Sequence, residues 1–243
     1  LAHNNDLLAL PSLVESAADA GVDAMIISDM GVLSLVKQLA PDMEIHISTQ
    51  SGLVNYAAAR AMYDMGAKRV VLARELSLEE VVECKENAKV EIEVQVHGMT
   101  CMFQSKRSLL GNYFLFRDEV MEIENRKENR SMFLHDKERK NKYPIYEDVN
   151  GTHIFSPNDI CIIDELGELF EAGIDSLKFD AVLQDFDYTV KVTNLYRQAI
   201  DAYFDEGEDA YEDMKDDLLA QIEAIQPALR PLDTGFIFKE TVY

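Results

Sequence analysis

At 243 residues and a formal net charge of −22, the chain can bury a full core but is too acidic to present a uniform nucleic-acid surface. It has no run of about 18 apolar residues, which excludes an ordinary membrane-spanning helix. Three cysteines, Cys84, Cys101 and Cys161, are too few and too scattered for a disulfide framework, so a reduced, cytoplasmic protein is expected.

The opening LAHNNDLLALP has neither the basic nor the apolar region of a signal peptide. There is no initiator methionine, and the chain begins directly on a predicted helix. Strands and helices then alternate. AMIISD (Ala24–Asp29) reads as a strand, followed by a helix over Val32–Leu39. Glu44–Thr49 is the next strand, with a helix over Leu53–Met65. Arg69–Arg74 and Leu78–Ala88 repeat the pair, and Val90–His97 is a fourth strand. Ser176–Asp180 is a fifth, leading into a long helix from Asp187 to Phe204. Short β-branched runs alternating with helices of about 10–15 residues predict βαβ units and a parallel sheet. Gly21, Gly66 and Gly173 stand just before strands, as helix C-caps do.

Polar residues gather where strands end: Ser28 and Asp29, then Ser48, Thr49 and Gln50, then Arg74 and Glu75, then His97, then Lys178 and Asp180. A site assembled from many strand ends is the arrangement of a TIM-type barrel. No GxGxxG or Walker-type loop is present, which weakens the dinucleotide and P-loop readings. The fold class expected is therefore α/β, a partial (β/α) barrel. Its βα units occupy 1–98, an insertion lobe 99–155, a last βα unit 156–205, and a helical extension with the tail 206–243.

The most informative stretch is EIEVQVHGMTCMFQSKRSLLGNYF, Glu91 to Phe114. An alternating strand stops at His97-Gly98, and Cys101 follows at one helical turn's spacing. Histidine and cysteine are the side chains whose proton or metal chemistry falls nearest neutral pH. A structural role for both is the competing reading. In the insertion, Arg126, Lys127, Arg130, Lys137, Arg139, Lys140 and Lys142 face only three acids. This cluster suits RNA phosphates, and equally a solvated charged hairpin. From Asp201 to Glu223 the balance reverses, with ten acids and one lysine, a surface that repels nucleic acid.

HGMTC followed by SKRSLLGNYF resembles the signature region of the peptidase U32 (collagenase-like protease) family. SDMGV (Ser28–Val32), HISTQ (His46–Gln50), KRVVLARELS (Lys68–Ser77) and GIDSLKFD (Gly173–Asp180) extend the resemblance, which runs on to the tail TGFIFKETVY. The resemblance implies a barrel with five of its eight strands present here, hence an N-terminally truncated chain or fragment. It also implies one of two activities: proteolysis, or prephenate-dependent 5-hydroxylation of the wobble uridine in tRNA.

Many members of that family carry four cysteines here, which implies an iron–sulfur cluster held by soft thiolates. This chain keeps the first as Cys101, while the second falls on Ser108 and the last two near Glu124 and Glu128. No cluster or other metal is therefore expected in this chain. Where the family often reads SLKIEGRMK, this chain reads SLKFDAVLQ from Ser176. Lys178 is kept and Asp180 replaces a glutamate, but the arginine has become Val182 and the last lysine Gln184. Valine cannot supply arginine's rigid fork to an anion.

The candidate catalytic residues are thus His97, Cys101, Arg74, Glu75, Lys178 and Asp180, with Arg74, His97 and Lys178 binding or polarising a small anion. Arg74 and Glu75 read equally as an ion pair on a barrel rim. Ser28, Asp29, Ser48, Thr49 and Gln50 are candidate substrate-binding residues, or helix caps. Lys137, Arg139, Lys140 and Lys142 are candidate RNA contacts. A cluster-bearing U32 relative is the expected partner. The peptidase alternative lacks both GxSxG and HExxH.

Overall fold

Glu44–Ile47 shows in four residues how the sheet is built: Ile45 and Ile47 are buried while Glu44 and His46 turn the other way. The structure, a computed structural model, describes residues 2–119, 132–138 and 140–238. Its internal contacts divide the chain into two units, Leu1–Gln95 with Glu165–Lys178 and Gly235–Tyr243, and Val96–Asp164 with Phe179–Thr234.

In the first unit, strands β1 (Ala24–Ile27), β2 (Glu44–Ile47), β3 (Arg69–Val71) and β4 (Glu91–Gly98, which runs on into the second unit) pair in parallel and in that order. Helices α1 (Leu10–Asp19), α2 (Met30–Leu39), α3 (Tyr56–Asp64) and α4 (Leu78–Ala88) alternate with them. Each of the last three starts where a side chain meets a backbone N–H left free by the helix. Asp29 caps α2, Asn55 caps α3, and Ser77 and Glu80 close a capping box on α4. The helix expected from Leu53 thus begins only at Tyr56, after the Asn55 cap. The strand expected to reach Arg74 ends at Val71. Arg69 ties β3 to β4 through Glu91 at 2.9 Å and Glu93 at 3.4 Å. The described part of the tail is docked, since Ile237 is buried and its carbonyl accepts from Leu78 N–H at 2.9 Å.

In the second unit the chain doubles back at Gly98, whose φ of +97° suits glycine and whose absent Cβ would lie 2.0 Å from the Asp180 carbonyl oxygen. Cys101 therefore opens a strand, β5 (Cys101–Ser105), rather than a helical turn. With β6 (Phe133–His135), β7 (Lys142–Asp148) and β8 (Gly151–Phe155) it forms a four-stranded antiparallel sheet in the order β5-β8-β7-β6. Glu147 on β7 is fully buried and accepts from Leu110 N–H at 2.8 Å and Gly111 N–H at 3.1 Å, capping α5 (Leu109–Phe116).

The strand β9 (Asp159–Cys161) pairs antiparallel with the end of β4, and in parallel with the short β11 (Leu232–Asp233). Short helix α6 (Leu166–Glu171), which belongs to the first unit, and β10 (Ser176–Asp180), which pairs with β4, precede the long α7 (Phe186–Asp201) of the second unit, capped by Asp185. A π-helical turn, Ala202–Glu206, and α8 (Glu208–Ile225) complete the second unit's helices. The α7 helix thus ends three residues before the expected Phe204, where the backbone widens into that turn. The α/β class holds. The described strands make an open series in which β9 and β11 run opposite to β1–β4, and no closed barrel forms among the described residues.

Candidate functional site

The residues expected to bind substrate do gather, because parallel pairing puts the ends of β1, β2 and β3 on one edge. There they are engaged in holding the turns. Ser51 donates to the Ser28 carbonyl at 3.3 Å, Asp29 accepts from Val32 N–H at 3.0 Å, and Ser48 accepts from Gln50 N–H at 3.3 Å. Thr49, nearly buried, donates to the Leu72 carbonyl at 3.0 Å, and Gln50 is exposed. On the same edge Arg74 is half-buried and its Nε donates to Gln95 at 2.7 Å, while Glu75 is exposed. Lys178 is half-buried in the first unit; Asp180, in the second, accepts from Val182 N–H at 3.2 Å.

His97 is closed off from solvent in the second unit. Phe179 packs edge-on against its ring at 4.8 Å between centroids. Its Nε2 is 2.8 Å from the Tyr188 hydroxyl and its Nδ1 3.3 Å from that of Tyr196. Cys101, half-buried, donates its thiol to the Phe103 carbonyl at 3.6 Å. With both imidazole nitrogens turned to tyrosines, the geometry presents His97 as a brace within a polar network.

That network continues to a feature the sequence did not reveal. Gln226 accepts from the Tyr188 hydroxyl at 2.5 Å, and its Nε2 donates to Asp159 at 2.8 Å and to the Arg230 carbonyl at 2.6 Å. Asp159, fully buried, also accepts from Gln184 Nε2 at 3.2 Å and from Arg230 Nε at 3.3 Å and Nη2 at 2.7 Å. Proton directions follow from the acceptor at the end. Asp159 takes hydrogens from the Gln226 amide, so Gln226 Oε1 must take the proton of Tyr188. The Tyr188 oxygen is then left to accept, so neutral His97 carries its hydrogen on Nε2. Burial, reinforced by the positive charge of Arg230, presses the His97 pKa down to about 3, consistent with that neutral form. Burial, then the charge of Asp159, raises the Tyr188 phenol above its ordinary range.

This network backs a cleft of about 230 Å³ in the second unit. Apolar walls come from Met99, Phe133, Pro144, Leu183 and Pro227, and polar groups from Gln184, Asp185 and Arg230. The position where lysine gave way to glutamine is thus in the cleft. Asp159 and Arg230 escaped sequence reading because they lie 71 positions apart. One signal was there: Arg230 is a lone cation in an apolar, proline-bordered stretch.

Of the candidate RNA contacts, Lys137, Lys140 and Lys142 are exposed on the β6–β7 hairpin, while Arg139 lies outside the described residues. Arg126, Lys127, Arg130, Glu124 and Glu128 also lie outside them. For an iron–sulfur cluster the donor set does not fit: Cys101 is one thiolate, and Ser108 at the start of α5 offers a hydroxyl. Cys161 is buried at Tyr196 and its thiol is pushed up to about 11 by burial. Among the described residues no group of three or more His, Cys, Asp and Glu is placed to hold a metal ion. No described helix is long and apolar enough to cross a membrane.

The model of peptidase family U32 matches residues 1–242, and the chain belongs to that family. It is 56% identical over 241 residues to tRNA hydroxylation protein P2 of Bacillus subtilis strain 168, covering 99% of this chain and 78% of that protein. To tRNA hydroxylation protein P1 of the same organism it is 33% identical, over 83% of this chain and 48% of P1. To the 23S rRNA 5-hydroxycytidine C2501 synthase of Escherichia coli K12 it is 30% identical, over 84% of this chain and 30% of that enzyme. The chain therefore spans half or less of the latter two relatives. P1 and P2 are separate proteins in one organism.

Proposed function

We propose that this chain takes part in prephenate-dependent 5-hydroxylation of the wobble uridine of tRNA, in the cytoplasm and together with a cluster-bearing U32 relative. The observation that carries the reading is the 56% identity to tRNA hydroxylation protein P2 across 99% of the chain. The pairing with a relative is supported by the lone thiolate at Cys101, and by P1 and P2 occurring side by side in one organism. Arg74, just beyond β3, and Lys178, on β10, are in this reading the cations for a small anion such as prephenate. Glu75, Cys101 and Asp180 remain candidate catalytic groups, and His97 braces Tyr188 and Tyr196 within the second unit. The hairpin lysines Lys137, Lys140 and Lys142 supply the tRNA contact.

The test is nucleoside mass spectrometry on bulk tRNA from cells lacking the full-length gene, with the nearest U32 relative intact and then also deleted. Loss of 5-hydroxyuridine-derived nucleosides in either strain beyond that caused by deleting the relative alone is expected. Unchanged nucleosides in both comparisons would remove the chain from this reaction. Gelatin or casein cleavage abolished by Cys101→Ala would instead establish the peptidase reading.

A further inference from the structure

We infer that the face formed by β5 and α5 in the second unit is a two-fold interface at which this chain pairs with a second copy of itself. The inference does not depend on which reaction the protein serves.

The first argument is the surface that α5 leaves uncovered. In its sequence, LLGNYFLF, Asn112 is the only strongly polar residue, so the helix is apolar on every side, a composition that globular proteins bury. Only one side is covered here: Leu110 is buried, and its N–H and that of Gly111 are held by Glu147 on the sheet. Leu109, Tyr113 and Phe116, spaced i, i+4 and i+7, make a stripe on another side, with Tyr113 52% and Phe116 86% exposed. Leu115 beside the stripe is 68% exposed. The outer strand of the sheet, β5, adds Met102 and Phe103, both also exposed. Strand and helix start lie side by side, since Ser105 pairs with Thr152, whose hydroxyl accepts from Leu109 N–H at 3.0 Å. At roughly 150–250 Å² for a large side chain, these six leave on the order of 700 Å² of mostly apolar surface open. The largest apolar patch on a typical monomer is about 300–600 Å², and each partner of a standard interface contributes about 800 Å². The patch is thus close to one half of a stable dimer interface.

The second argument is charge, which selects the occupant. Two chains of net charge −22 repel one another over an average surface. The stretch Cys101–Glu119 departs from that average: Lys106, Arg107 and Arg117 stand against Asp118 and Glu119, a balance of +1. Arg117 is further engaged by Glu119 at 3.5 Å and donates to the Tyr113 hydroxyl at 3.2 Å, so little free positive charge remains. A two-fold axis sets the same patch against itself, which an apolar and nearly neutral face tolerates and an acidic one does not. An anionic lipid surface would find few free cations here, against the field of the whole chain. The acidic α8 of the same unit adds to that field.

The experiment is sedimentation velocity on the purified full-length protein, alone, from about 0.1 to about 50 µM. A dimer with a Kd of about 1 µM or tighter is expected. Replacing Leu115 and Phe116 together by aspartate should weaken it by about a hundredfold or more. Both side chains are exposed in the single chain, so circular dichroism should be unchanged and the loss reports the interface rather than folding. Val149→Asp puts the same charge at the equally exposed β7–β8 turn and should leave the dimer intact. Hydrogen exchange compared between dilute and concentrated protein should show new protection within Cys101–Phe116. A wild-type monomer at the highest concentration, a dimer that survives the double substitution, or protection confined to other segments would overturn the interface. So would a protein that stays monomeric alone and uses this face to float with phosphatidylglycerol vesicles or to bind a U32 relative. Each of these results leaves the tRNA nucleoside test standing.

Discussion

His97 sits between Tyr188 and Tyr196 with its pKa pressed from 6.5 to about 3, first by burial and then by Arg230. The unfolded imidazole takes up its proton near the higher value and the folded one near the lower. Between them the unfolded state binds more protons, so this contribution to stability is full above about pH 6.5 and is lost as pH falls towards 3. One proton corresponds to a slope of about 1.4 kcal/mol per pH unit. Urea unfolding at about pH 7 and about pH 4.5 should show wild type losing stability more steeply than His97→Gln. Equal slopes would mean that His97 is not held neutral. The same residue marks a limit of reading side chains one at a time. A histidine beside a glycine at a strand end has the same letters whether it faces solvent or the core. Only packing by Phe179 and the tyrosines, 82 to 99 positions away, decides it.

Among the elements, α5 depends on a partner no local pattern announces. Its first N–H groups are met by the buried Glu147, itself 2.6 Å from the Thr152 hydroxyl. Glu147→Ala should cost about 2 kcal/mol or more, because it removes the cap and leaves buried donors unmet. Glu147→Gln should cost less. Denaturant unfolding of the two variants measures this, and a loss under about 0.5 kcal/mol for alanine would contradict it. The alternation of β1 to β4 with α2 to α4 was legible because helix caps and β-branched runs are local signals. The four-stranded sheet was not, since β5 pairs with β8 across 50 positions or so and the intervening order is set by contacts. The stop of the strand at His97-Gly98 was legible, but the letters could not say that the chain returns as a strand.

At the scale of the molecule, the acidic balance is unevenly distributed, and that distribution carries the RNA argument. The first unit offers capped strand ends with Arg74 and Lys178. The second offers the cleft backed by Asp159 and Arg230, and the lysines of the β6–β7 hairpin. Family membership was legible in short motifs spread along the chain. The cleft was invisible because it is made by residues from Met99 to Arg230 that meet only in the fold. The most direct measurement is rescue of tRNA hydroxylation in cells lacking this gene, with its U32 relative intact, by wild-type and Arg74→Ala copies at equal protein level. The account predicts that wild type restores 5-hydroxyuridine-derived nucleosides and that the Arg74→Ala copy does not. Full restoration by Arg74→Ala would contradict it, placing the small anion away from Arg74.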